Sequence, residues 1–176
     1  ALTTAVGGGM MRDIILGNTP PNMFKNPIYC ILAAVTALIV VCTYQLIYKK
    51  FNMKEQLSIK RVGYISDAIG LGIFTVVGAQ VCMGAGYADN GFLCTFVGVM
   101  TGVGGGLLRD ILVRRTPIIL TKEIYAVAAM VGGMFYWCLS HNVHSAVATY
   151  FATALIIAIR LLAVKKDMHL PRIKME

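Results

Sequence analysis

The chain has 176 residues, 57% of them hydrophobic and 14% charged, and its mean hydropathy is +0.72. Those values exclude an ordinary soluble domain and place it among integral membrane proteins. The formal charge of +8 does not point to nucleic acid, which would need basic residues gathered on a polar surface within a recognisable binding module.

About 20 mostly apolar residues in helical form cross a bilayer core. The chain opens in such a setting with TAVGGGMMRDIILGNTP at positions 4–20, and a complete apolar run then extends from Ile28 to Tyr48. Further spans are predicted from Val62 to Tyr87, Gly91 to Val113, Glu123 to Leu139 and Ser145 to Val164. The run from Gly91 carries a second phrase, TGVGGGLLRDILVRRTP, at positions 101–117. Cys30, Cys42, Cys82, Cys94 and Cys138 stand singly in apolar runs, without metal-site or disulfide-framework spacing, and read as small core hydrophobes. His141 and His144, in the short polar stretch SHNVHS, are not expected to hold a metal, and no cofactor is expected.

Lys and Arg gather in cytoplasmic loops. Lys49, Lys50, Lys54, Lys60 and Arg61 fill one connector, Arg114, Arg115 and Lys122 a second, and Lys165, Lys166, Arg172 and Lys174 the tail, whereas GYADNG at 86–91 and SHNVHS at 140–145 have none. The charge is therefore a positive-inside bias, with the C-terminus cytoplasmic. The expected organisation is a first repeat at 1–48, a cytoplasmic connector at 49–62, a second repeat at 63–140, a further helix at 145–164 and a cytoplasmic tail at 165–176.

Aligning Thr4 with Thr101 gives ten identities in seventeen positions, an internal duplication. The second phrase is preceded by a whole apolar helix, with Asp67 34 residues ahead of Thr101, while three residues precede Thr4. One more span is therefore expected upstream in the parent protein. Each unit then has three helices, and an odd number inverts the second unit in the membrane, the plan of many transporters. The fold class expected is all-α and polytopic, with two inverted three-helix repeats plus a terminal helix, seven spans in the parent, and the true N-terminus outside.

Each glycine in a helix interior costs about 1 kcal/mol relative to alanine, on the order of 3 kcal/mol for a triplet. Breaks are therefore expected at Gly7, Gly8 and Gly9 and at Gly104, Gly105 and Gly106, converging on a cavity where freed carbonyls or half-helix N-termini meet a permeant, with Thr4 and Thr101 as lining residues. Gly70, Gly72, Gly78, Gly98, Gly132 and Gly133 read as points of close helix packing. Arg12 and Asp13, like Arg109 and Asp110, are neighbours, and neighbours on a helix do not face each other. The repeat then predicts reciprocal pairs across the pseudo-twofold axis, Arg12 with Asp110 and Arg109 with Asp13. Asp67 joins these intramembrane ionisable groups as a gating candidate. GVGGGLLRD is not a dinucleotide or phosphate loop, because no strand precedes it and Leu107 stands where a third glycine is required.

The doubled GGGxxRDxxxxxxP phrase, together with SDAIGLGIFTVVGAQ and KEIYAVAAMVGG, resembles the bacterial inner-membrane family of glycine transporters, itself similar to the trimeric intracellular cation (TRIC) channels. The resemblance implies a seven-helix protomer, a homotrimer in the bacterial inner membrane, and one permeation path per protomer lined by the glycine-broken second and fifth helices. It departs from the animal channels, whose second phrase carries a lysine and acidic residues where Gly104 to Gly106 stand, so the permeant stays open. The readings are a permease or channel for a small solute such as glycine, a selective channel for a monovalent cation or an anion, or a membrane scaffold that transports nothing. No nucleophile and base constellation points to an enzyme.

Overall fold

A computed structural model describes residues 2–47, 53–117, 119 and 124–166. Tyr48, Lys49, Lys50, Lys122, Glu123, His169, Arg172 and Lys174 lie outside the described residues, as do the side chains of Lys54, Lys60 and Arg61. The described elements are helical: α1 Leu2–Ile15, the short α2 Asn22–Lys25, α3 Ile28–Ile47, α4 Met53–Cys82, α5 Gly91–Leu112, α6 Ile124–Ser140 and α7 Ser145–Lys165. At 1.5 Å per residue, the 30-residue α4 is about 45 Å long, more than a hydrocarbon core requires. Its apolar part begins at Val62, so the turns from Met53 belong to the basic connector. The segments Val62–Tyr87, Gly91–Leu112 and Ser145–Lys165 are long and apolar enough to span a membrane, and Ile28–Thr43 and Ile124–Ser140 are shorter apolar helices.

Polar side chains set several helix ends. Asn90 caps α5 by accepting from the Leu93 amide at 3.0 Å, and His144 caps α7 through the Ala146 amide. His141 Nδ1 bonds the Trp137 carbonyl at 2.8 Å. Between α4 and α5 a π-helical turn, Met83–Tyr87, bends at Gly86, whose φ of 97° an L side chain rarely adopts. Trp137 of α6 braces that bend by donating to the Ala88 carbonyl at 2.7 Å.

The core lies among α4 to α7, where Leu71 and Val76 of α4, Val103 of α5, Tyr136 of α6 and Ile156 of α7 are buried together with small residues. Small residues allow these helices to approach closely, as lipid-embedded packing requires. A Cβ at Gly98 would sit 2.7 Å from the Thr75 carbonyl, one at Gly72 3.1 Å from the Thr153 carbonyl, and those at Gly78 and Gly132 would run into Thr101 and Ile156. Gly133 has ordinary contacts, while Gly70 has no neighbour within 4 Å and is not a packing point. The first half is looser. α1 lies along α5, and α3 touches only α1 and α2 among the described elements, leaving Ile31, Leu32, Leu38 and Ile39 exposed.

Candidate functional site

The two glycine triplets do not break their helices. α1 runs without interruption through Gly7 to Gly9 and α5 through Gly104 to Gly106. Glycine's low helix propensity is measured where water can take over a freed amide. In hydrocarbon each unsatisfied backbone group costs several kcal/mol, so the intact helical ladder wins.

The triplets instead let the two phrases cross backbone to backbone. A Cβ on Gly8 would collide with the carbonyl oxygen of Thr101, and one on Gly105 with the carbonyl oxygen of Thr4. Likewise, a Cβ on Gly7 would lie 3.3 Å from the Cα of Gly105, and one on Gly104 3.4 Å from the Cα of Gly8. Because partner numbers fall as α1 numbers rise, the helices are antiparallel, and each contact has its counterpart with the copies exchanged. Thr101 is buried at this crossing, and its hydroxyl donates to the Val97 carbonyl at 2.7 Å.

Each phrase then ends in the same way. The Asn18 amide reaches back to the Asp13 carbonyl at 2.8 Å and the Gly17 amide to Ile14 at 3.1 Å, while the Arg115 amide reaches Asp110 at 2.9 Å and the Arg114 amide Ile111 at 3.0 Å. Both are Schellman ends, whose turning residue takes positive φ: 73° at Gly17 and 54° at Arg114.

The described ion pairs correct the expected reciprocal arrangement. Arg12 binds the neighbouring Asp13, Nη2 to Oδ1 at 2.7 Å and Nε to Oδ1 at 2.8 Å, and Arg109 binds Asp110, Nε to Oδ1 at 2.9 Å. The crossing point explains this. Asp13 and Asp110 each lie five or six residues beyond it in opposite directions, about 16 Å apart along the axis at 1.5 Å per residue, beyond an arginine's reach. Both arginines fold back over the third glycine of their triplet, with Arg12 Nη2 3.8 Å from a Cβ placed on Gly9 and Arg109 Nη2 at the same distance from one on Gly106. Asp13 also accepts from the Asn22 amide at 2.8 Å, tying the end of α1 to the start of α2.

Matching residues of the two copies face two cavities of unequal size. Val6, Gly9, Met10, Arg12, Asp13 and Tyr29 line one of about 260 Å³. Their counterparts Val103, Gly106, Leu107, Arg109, Asp110 and Tyr125 line one of about 10 Å³, room for about one water.

Asp67 belongs to the second side. The Tyr125 hydroxyl donates to its Oδ1 at 3.3 Å, and Arg160 Nη2 stands 3.8 Å from its Oδ2. The Arg160 guanidinium lies 4.5 Å above the centre of the Tyr125 ring. Arg160, buried within α7, was not singled out in the sequence, although a lone arginine in ATALIIAIRLLAV carries the same signal that marked Asp67.

The model of the glycine transporter family matches residues 1–45 and again 64–141, once for each half of the duplication. The chain belongs to the glycine transporter family. Among relatives, it is 31% identical over 172 residues to the UPF0126 inner membrane protein YadS of Escherichia coli K12, covering 97% of this chain and 78% of that protein. Among solved structures, it is similar to a TRIC cation channel described for its conductance, with a TM-score of 0.82 and 34% identity over 99% of this chain and 81% of that one. It is also similar to the TRIC trimeric intracellular cation channel orthologue from Rhodobacter sphaeroides, with a TM-score of 0.77 and 28% identity over 94% and 80%. This member of the glycine transporter family is thus an all-helical, multi-pass membrane protein of the channel or transporter type.

Proposed function

We propose that the protein is a channel-like permease of the bacterial inner membrane, working as a homotrimer in which each protomer passes a small monovalent cation along the α1 and α5 crossing. The observation that carries this reading is the 34% identity to a TRIC cation channel over 99% of the chain. The antiparallel phrases support it further, since they put one Arg-Asp pair on each side of the crossing. A permeant would meet a partly compensated charge on entry and another on exit, the weak multi-site binding that conduction needs. Asp13 and Asp110 are the cation-facing groups, and Arg12 and Arg109 limit how tightly they hold it. The repeats at 1–48 and 63–140 form the two halves of the path, with the C-terminus cytoplasmic and the parent's N-terminus outside.

A second reading, carriage of a zwitterion such as glycine, is favoured by the Arg12 and Asp13 pair, a guanidinium and a carboxylate 2.7 Å apart that line one cavity. Purified protein in a planar bilayer under a potassium gradient separates the two. Unitary currents reversing near the potassium equilibrium potential are expected, whereas saturable uptake of labelled glycine into proteoliposomes without current would replace channel with carrier. Silence in both assays would leave the scaffold reading.

A further inference from the structure

Two cysteines that the sequence reads as separate core residues meet in the fold. Cys82 is the last residue of α4, and Cys94 lies in the first turn of α5. Both are fully buried, and with Val97 they form one cluster against which Met83 and Trp137 pack. Their meeting follows from how α4 and α5 cross. Gly102 meets Leu71 and Thr75, whereas Gly98 meets Thr75 and Ala79, so the helices are antiparallel. They come backbone to backbone at Gly78, where a Cβ would lie 2.9 Å from the Cα of Gly98. Residues four apart on a helix share a face, so the positions one turn beyond this contact are Cys82 on α4 and Cys94 on α5. The two thiols interact directly. The Cys94 thiol also donates to the Tyr87 carbonyl at 3.2 Å, which holds it against the bend at Gly86. A disulfide needs Cα atoms about 4.4–6.8 Å apart, a separation that helices touching one turn away provide. Both thiols are free in this structure, and among the described residues no third His, Cys, Asp or Glu joins them as a metal ligand.

We propose that Cys82 and Cys94 are a disulfide-forming pair that stitches the end of α4 to the start of α5 across the bend at Met83–Tyr87. The bond forms by exchange with the disulfide of a dithiol oxidoreductase. One cysteine, as its thiolate, attacks a sulfur of that disulfide and releases the oxidant's first thiol. The other cysteine then attacks the mixed disulfide, which makes the Cys82–Cys94 bond and releases the second thiol. The pair loses two electrons and two protons, and the oxidoreductase gains them. Exchange takes place while this end of α4 and α5 is apart, since both thiols are buried once the helices close. The connector at 86–91 has no Lys or Arg, so on the orientation proposed above it faces the oxidising side of the membrane, where such bonds persist. The bond fixes where α5 begins, and with it the helix that carries the second phrase.

The test uses the full chain with its five cysteines, expressed in bacteria with an oxidising periplasm. Membranes are denatured in N-ethylmaleimide, and the protein is then reduced, alkylated with a heavier maleimide and mapped by peptide mass. Cys30, Cys42 and Cys138 are expected to carry the first label, and Cys82 and Cys94 the second. In Cys82→Ala, Cys94 moves to the first label, and in Cys94→Ala, Cys82 does. Reduction is expected to lower the thermal midpoint of the native chain in detergent by about 5–10 °C and to leave the Cys82→Ala, Cys94→Ala double variant unchanged. First label on both Cys82 and Cys94 of the native chain overturns the pair, as does second label on Cys94 that survives Cys82→Ala. Orientation is read separately with Asp89→Cys, exposed in the connector, in a chain whose native cysteines are alanine. A membrane-impermeant maleimide labels it in spheroplasts when the bend faces outward. Absence of that label beside an intact disulfide counts against the orientation alone.

Discussion

The site at Arg12–Asp13 and the site at Arg109–Asp110 are built from the same words and sit in different surroundings. In both, an arginine folds over the third glycine, grips the next residue's carboxylate and is followed by a Schellman turn. The first faces a cavity of about 260 Å³ that Asn22, Met23, Tyr29 and Val77 of α4 also line; the second faces one of about 10 Å³ that Ile119 and Tyr125 of α6 also line. The duplicated phrase therefore fixes local geometry, and openness is decided by what packs on it. Arg160 of α7, 4.5 Å above the Tyr125 ring, belongs to the surroundings of the second.

The comparison can be broken at its shared centre. Gly8→Val and Gly105→Val drive a side chain into a backbone carbonyl that cannot swing aside, and each is expected to cost about 3 kcal/mol or abolish the folded protein, measured by thermal unfolding in detergent. Gly9→Ala and Gly106→Ala, where only the arginine tip lies nearby, should keep stability or gain up to about 1 kcal/mol. Equal damage at all four positions would restore the idea of a required break.

Next in size, Asp13→Ala is expected to lose about 3 kcal/mol, because it strands a largely buried arginine. Exchanging charges across the axis, Arg12→Asp with Asp110→Arg, should rescue nothing, since the two positions lie on opposite sides of the crossing. Recovery in that double variant, by unfolding or by current, would reinstate the reciprocal pairing.

The smallest effect sharpens the contrast between the two turns. Arg114 holds a positive φ that Gly17 adopts at no cost, so Arg114→Gly should gain about 1 kcal/mol and Gly17→Ala lose a similar amount. A denaturation series on the two variants checks the opposite signs.

The sequence made some of this legible and hid the rest for physical reasons. The duplication, the apolar spans and the meeting of the two phrases could be read, because identity and hydropathy survive without coordinates. The continuity of α1 and α5 could not, since glycine's penalty comes from water and these helices are packed against each other's carbonyls. Pairing within each phrase was missed because the rule about helix neighbours concerns where Cβ points, and an arginine is long enough to turn back from there. Arg160 was readable and passed over, as its partner is 93 positions away in the chain.

The crossing at Gly8 and Gly105 is self-complementary: what Thr4 does to Gly105, Thr101 does to Gly8. Interfaces of that kind ordinarily join two identical molecules about a twofold axis. Here both partners belong to one polypeptide, so each copy can change by itself and the other must accommodate the change. A bulkier residue in one phrase is an insult to the other, and the chain carries in its own interior the complementarity that a homodimer obtains from two copies of one chain.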